Sequence, residues 1–279
     1  MPLDQGEINE YNKKEMSFFD HIDVLRKHII RSVVVLISLV VVCFTYIETI
    51  FTKIIIAPIN ADFFTYRMIC KFSHYFYNSD KYCVGDIKIK LINLQMQGQF
   101  IEAFKISIIS AIVIGFPYFL WELWRFIKPA LKPSERKFSK GLIASCSALF
   151  FSGVLFGYYI LSPISLNFFV GFTISDQIAN EPTFQNIVSL ISFLVIGTGL
   201  MFELPILMYF LARIGFLSSE TLKKYRRHAI VVIVIVAAIV TPPDVISQII
   251  LTIPIYLLFE LGIKLTKDIE RKRLKENEQ

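Results

Sequence analysis

The sequence predicts an all-α membrane protein with six transmembrane helices, N-terminus and C-terminus inside and the last two helices short. Three observations carry that prediction. First, 54% of the 279 residues are hydrophobic, only 19% are charged, and the mean hydropathy is +0.57, which is more apolar surface than one globular core hides. Second, uncharged runs recur near the roughly 20 residues that a helix needs to cross about 30 Å of hydrocarbon. Third, Lys and Arg gather beside alternate ends of those runs. Low charge, 12 Gly and 4 Cys exclude disorder, a collagen-like fibre and a disulfide scaffold. The net charge of +6 does not point to nucleic acid, because the cations lie beside apolar segments.

The first span runs from about Ile29 to Ile47, with Arg31 and Glu48 near its ends, where both can snorkel. The second, Ile101 to Ile127, ends on Glu122, Trp124 and Arg125, an aromatic and charged edge suited to a membrane interface. Nothing between Gly141 and Ser175 is charged, which defines the third. A fourth, about Asn186 to Ala212, contains Glu203. The last two apolar stretches, Ala229 to Val240 and Val245 to Phe259, are separated only by Thr241-Pro242-Pro243-Asp244. The resulting plan is an N-terminal segment 1–28, a membrane domain 29–263 with a loop of about 50–99, and a tail 264–279. The first apolar run starts only at Ile29 and has no small-residue cleavage site behind it, so a retained N-terminus is expected.

Orientation follows from the cations. Lys128, Lys132, Arg136, Lys137 and Lys140 stand against Glu135 between spans two and three, and Arg213, Lys223, Lys224, Arg226 and Arg227 against Glu220 between spans four and five. The opposite side carries Asp176, Glu181 and Asp244 and no Lys or Arg in those loops. Both termini are therefore expected in the cytoplasm. The long loop fits less well, with six Lys or Arg against three acids, but the rule weakens for long loops. Cys70 and Cys83 lie in it, in an oxidising compartment on this topology, and their spacing permits a bridge. Cys43 and Cys146 fall in apolar runs and read as small buried hydrophobes.

A carboxylate in a spanning helix costs at least about 2.5 kcal/mol at the bilayer centre and faces a bundle interior or a wet cavity. Glu203 in Met201-Phe202-Glu203-Leu204-Pro205 is such a group, and Pro205 denies the Met201 carbonyl its usual donor, bending the span there. A hydrogen bond between helices is the plain alternative to a functional pocket. The final hairpin holds Thr241, Asp244, Gln248 and Glu260, and its twelve-residue first arm reaches only about 18 Å, so the bilayer should thin beside it. Gly153 and Gly157 form a GxxxG that reads as helix packing. Alone, the loop around Glu135 is a positive-inside anchor and the stretch His21-Ile22-Asp23-Val24-Leu25-Arg26 an amphipathic lead-in to the first span.

Taken together and in order, these pieces make the chain resemble the TatC family, the multispanning receptors of twin-arginine protein translocases. The resemblance rests on His21-Ile22-Asp23-Val24-Leu25-Arg26, Phe126-Ile127-Lys128-Pro129-Ala130-Leu131 with Glu135-Arg136, Phe202-Glu203-Leu204-Pro205, Lys224-Tyr225-Arg226, and Thr241-Pro242-Pro243-Asp244 with Ser247-Gln248. It implies a non-enzymatic, cofactor-free protein of the bacterial cytoplasmic membrane. Such a protein binds twin-arginine signal peptides and, with single-span partners of the TatA and TatB type, moves folded proteins using the proton-motive force. A homo-oligomer within a larger complex is implied as well. Glu135 matches the family's main peptide contact, with Phe126 beside it and Arg26 in the N-terminal motif. The second contact is a Glu whose position is Val24 here, so Asp23, one residue earlier and about 100° round the helix, is the candidate substitute. Glu203 matches the family's intramembrane acid, and Thr241 with Gln248 a polar patch that docks the single-span partners, with Asp244 between them.

The competing class is a proton-coupled secondary transporter, with Glu203 carrying protons or holding solute; no inverted repeat supports it. Nucleotide-binding, protease and metal motifs are absent from the sequence, and His21, His28, His74 and His228 are scattered over different segments.

Overall fold

A computed structural model of the chain describes residues 18–77, 91–127, 139–175, 177 and 181–277. Among them the molecule is helical, with one isolated bridge between Ile92 and Thr183. The elements are α1 (Phe18–Thr45), α2 (Ile47–Ile50), α3 (Phe64–Tyr77), α4 (Gly98–Ile127), α5 (Ser139–Phe156), α6 (Ser162–Gly171), α7 (Phe184–Met201), α8 (Leu204–Ile214), α9 (Ser219–Lys224), α10 (Arg226–Val240) and α11 (Val245–Asn277). Five stretches are long and apolar enough to cross a bilayer: 22–45, 98–127, 141–171, 184–214 and 245–271. α10 has 15 residues, a rise of about 22 Å, and is not among them.

One expectation is corrected. The last helix is not short: α11 runs for 33 residues, because the apolar run stops near Phe259 but the backbone does not. Lys, Glu, Leu and Arg beyond it are good helix formers, so a charge ends the hydropathy signal without ending the helix. The extension is anchored by Glu270, which accepts from the Ser219 backbone N–H at 2.7 Å and from its hydroxyl, tying the start of α9 to α11. Arg226 at the start of α10 donates to Glu260 at 2.7 Å.

α1 lies along α4, α5 along both α4 and α7, and α8 and α10 against α11. Two cores result. Leu161, Leu194, Met208, Leu251 and Ile255 fill one between α7, α8, α10 and α11. Ile55, Ile106, Leu166, Ile187 and Ile191 fill the other, at the end where α1 finishes, here called the top; the end where α1 begins is the base.

The Gly153–Gly157 pair packs helices as expected. A Cβ on Gly153 would stand 2.5 Å from the Thr198 carbonyl oxygen, and one on Gly199 2.8 Å from the Phe150 ring. That closeness lets the Thr198 hydroxyl donate across the interface to the Gly153 carbonyl at 2.8 Å.

The loop at the top folds onto a proline-made gap. The third span widens into a π turn at Gly157–Leu161, where Ser162 Oγ donates to the Gly157 carbonyl at 2.8 Å. Pro163 then has no N–H for the Tyr159 carbonyl four residues back. Thr65 at the start of α3 donates to that carbonyl instead, and the Tyr66 hydroxyl donates to the Pro163 carbonyl at 2.8 Å. Burial drives the Tyr66 phenol well above its ordinary range, as fits a hydroxyl held as a donor. Cys70 of α3 is disulfide-bonded; Cys83 lies outside the described residues. Cys43 and Cys146 are free and buried.

Candidate functional site

The base of α1 and the end of α4 bring three of the expected residues into one neighbourhood. Asp23 and Arg26 are exposed on the first turns of α1, and Val24 is half-buried between the two helices' ends. Phe126, in the last turn of α4, stands edge-on to the His28 ring with centroids 6.4 Å apart. His28 Nδ1 in turn donates to Glu122 Oε2. Tyr118 donates to Glu122 Oε1 at 3.1 Å, and Arg125 Nη1 lies 3.8 Å from the same oxygen. Glu135 lies outside the described residues, as does the rest of the segment from Lys128 to Phe138.

Glu122 is the residue that sequence reasoning misplaced. Read as an interfacial edge, it is 2% exposed, while its neighbour Trp121 is the outward residue. A carboxylate survives such burial only when its oxygens are partnered, and both are. The Tyr118 spacing of four residues was visible; His28 was not, because it lies 94 positions away. A second buried acid, Glu102 at the top of α4, was also missed; it sits 3.5 Å from Lys105, whose ammonium donates to Ser189 at 2.6 Å.

Glu203 sits where the fourth span breaks. α7 ends at Met201, α8 begins at Leu204 with Pro205 in its first turn, and the Phe202 and Glu203 amides close the junction on the Thr198 and Leu200 carbonyls at 3.0 and 3.2 Å. The half-buried carboxyl lies against Cys146 and the Phe150 backbone of α5, and its Oε1 is buried with no hydrogen-bond partner among the described residues. An unpartnered oxygen at mid-span is costly enough to need a reason.

The hairpin residues are drawn inward. Thr241 is 4% exposed and donates to the Ala237 carbonyl at 2.9 Å; Asp244 is 3% exposed and caps α11 by accepting from the Ser247 amide at 2.6 Å, leaving Oδ2 without a hydrogen-bond partner among the described residues. Ser247 pairs with Ser165 of α6 at 2.8 Å. Gln248 is half-buried and donates to the Val234 carbonyl at 3.3 Å. Among the described contacts, Glu203 is not joined to Thr241 or Gln248. An apolar groove of about 590 Å³ lies beside α7, α8 and α10, lined by Leu200, Met201, Leu204, Val232, Val236 and Val240 among others. No group of three or more His, Cys, Asp or Glu side chains among the described residues is placed to hold a metal.

Comparison with known proteins agrees with this architecture. The family model for the Sec-independent protein translocase protein TatC matches residues 20–254. The TatC protein of a Blattabacterium from Periplaneta americana is 37% identical over 94% of this chain and 98% of its own length; that of Carboxydothermus hydrogenoformans is 32% identical over 93% and 96%. Two crystal structures of the twin-arginine translocase receptor TatC superpose with TM-scores of 0.64 and 0.67 at 27% and 28% identity. They cover 90% and 88% of this chain, and 99% and 98% of their own. With five helical stretches among the described residues suited to crossing a bilayer and these bacterial relatives, it is a multi-pass protein of the bacterial inner membrane, engaged in protein transport. The chain belongs to the TatC family of Sec-independent protein translocase proteins.

Proposed function

We propose that the protein is the receptor that binds twin-arginine signal peptides at its cytoplasmic face and, with single-span TatA- and TatB-type partners, passes folded proteins across the membrane using the proton-motive force. The observation that carries the reading is the joining of α1 and α4 at their base. Phe126, Asp23 and Arg26 gather there, and Glu135 follows Phe126 by nine residues. A guanidinium is always charged and forks onto carboxylates, so a receptor for two of them needs acids at this surface. Glu135 is the principal acid and Asp23 the second, in place of the family Glu replaced by Val24.

In this reading the chain crosses six times, with both termini inside, on the cation asymmetry of its loops and with α10 as a crossing that leaves the bilayer thin. Glu203 is the intramembrane acid that acts in transport, and Thr241, Asp244 and Gln248 form the polar end of the hairpin beside which a partner helix seats. Several copies assemble in the working complex. Cys83 is the partner of Cys70.

The test is a photoreactive side chain introduced at Phe126 and at the outer Ile174. A twin-arginine peptide added to inside-out vesicles should crosslink at the first position and not at the second, and the Asp23→Asn variant should bind the peptide more weakly. Crosslinking at Ile174 alone would refute the orientation.

A further inference from the structure

Between the base of α1 and the end of α4 lies a cavity of about 360 Å³ lined by Val24, Lys27, His28, Arg31 and Arg125. Four of its five walls are basic side chains. Glu122 beside it is 2% exposed and already accepts from His28 and Tyr118, and Asp23, exposed on the first turns of α1, is not among the residues that line the cavity. Arg125 reaches it only at 3.8 Å and stacks on Trp121 at 4.8 Å from the ring centroid. Lys27 and Arg31 are exposed and make no salt bridge among the described residues. The cavity thus presents a surplus of positive charge.

Its position defines what can neutralise that charge. Arg31 lies inside the spanning stretch 22–45. Ile29, Ile30, Val33 and Val34 around it are all exposed, so this face of α1 meets lipid tails. A guanidinium there must reach back to the interface. Side chains on a helix tilt toward its N-terminus, so Arg31 leans toward the base and toward Lys27, one turn nearer the end. Trp121, exposed beside Arg125, is the interfacial aromatic that marks headgroup depth. At that depth the available anions are lipid phosphates, and basic pockets between spanning helices on the cytoplasmic side hold such headgroups.

We propose that this cavity binds the phosphate headgroup of an anionic phospholipid, with Arg31 and Arg125 as the principal contacts and Lys27 at its mouth. Its assignment to the cytoplasmic leaflet rests on the orientation proposed above; the site itself does not. A signal-peptide arginine is the wrong occupant, because it would enter among like charges, with Val24 where a carboxylate would be needed. The bound lipid fills the gap between α1 and α4 beside Phe126, so it also braces the peptide surface.

The experiment is native mass spectrometry of the full-length protein released from mixed micelles containing equal phosphatidylglycerol and phosphatidylcholine. The wild type should retain phosphatidylglycerol preferentially. The double variant Arg31→Gln, Arg125→Gln should lose that preference by about fivefold per arginine, roughly 25-fold in all, while Arg31→Lys, Arg125→Lys should keep most of it and show that the fold tolerates the positions. Equal retention of the two lipids by the wild type, or an unchanged preference in the Gln variant, would overturn the proposal. So would displacement of the lipid by millimolar inorganic phosphate, which would mark a site for free phosphate. Peptide binding measured on the same samples separates the two readings: retention of phosphatidylglycerol by a protein that ignores twin-arginine peptides leaves the lipid site standing and removes the receptor assignment.

Discussion

His28 on α1 donates from Nδ1 to the Glu122 carboxylate on α4, across 94 residues of sequence. The bond closes the base of the two helices that carry Asp23, Arg26 and Phe126, and the His28 ring meets Phe126 edge-on. Glu122→Ala leaves the His28 ring and the Tyr118 hydroxyl without their acceptor in a buried site. The expected loss is about 1–3 kcal/mol, read as a lower melting temperature in detergent. Glu122→Gln keeps an acceptor oxygen and should lose less. Equal melting of all three proteins would show that the pair does not hold the base together.

The glycine interface between α5 and α7 gives a sharper test of packing. Gly153→Ala places a methyl 2.5 Å from the Thr198 carbonyl oxygen, and a backbone atom cannot swing aside. The helices must part, at a cost of about 1–3 kcal/mol, and the Thr198–Gly153 hydrogen bond lengthens. Gly141→Ala, where an added methyl meets no atom of another helix within 4 Å among the described residues, is the matched control and should be neutral or slightly stabilising. Thermal unfolding of the two variants side by side checks the contrast.

Asp244 accepts from the Ser247 amide at the start of α11. Asp244→Ala should destabilise the hairpin by about 0.5–2 kcal/mol, whereas Asn, which caps nearly as well, should be close to neutral for stability. A transport defect in the stable Asn variant would then report the second carboxylate oxygen, Oδ2, which is buried without a hydrogen-bond partner among the described residues.

Glu203→Ala removes the acid at the break of the fourth span. Transport of a twin-arginine cargo into inside-out vesicles should be abolished, while binding of the signal peptide at the base, which involves other helices, stays within about twofold of normal, a difference below roughly 0.5 kcal/mol. Transport at the ordinary rate would assign Glu203 a structural part only.

Much of this architecture was legible because hydrophobic length and helix breakers are local signals. The runs beginning at Ile29, Ile101, Gly141 and Asn186 are helical over most of their length, the third stopping at Gly171 rather than Ser175, and Pro205 foretold the break that the structure places at Phe202–Glu203. What stayed hidden depended on distant partners or on continuity that hydropathy does not register. α11 continues past Phe259 because Ser219 and Arg226, from other elements, hold its charged half in place. Glu122 read as an edge because its partner His28 is far along the chain. The docking of α3 on the carbonyl freed by Pro163 could not be foreseen for the same reason. Of the candidate site, Asp23, Arg26 and Phe126 are brought to one end, Glu203 and the hairpin residues lie apart, and Glu135 and Cys83 fall outside the described residues.

Two carboxylates, Asp23 at the base of α1 and Glu135, are proposed to hold a pair of arginines by their forked geometry. That grip is measured by comparing the purified protein's affinity for one signal peptide bearing Arg-Arg and the same peptide bearing Lys-Lys, with wild type and Glu135→Gln in parallel. Lys-Lys should bind at least about tenfold more weakly, a difference of roughly 1.4 kcal/mol, and Glu135→Gln should lower Arg-Arg binding toward the Lys-Lys level. Equal affinity for the two peptides in the wild type would contradict it.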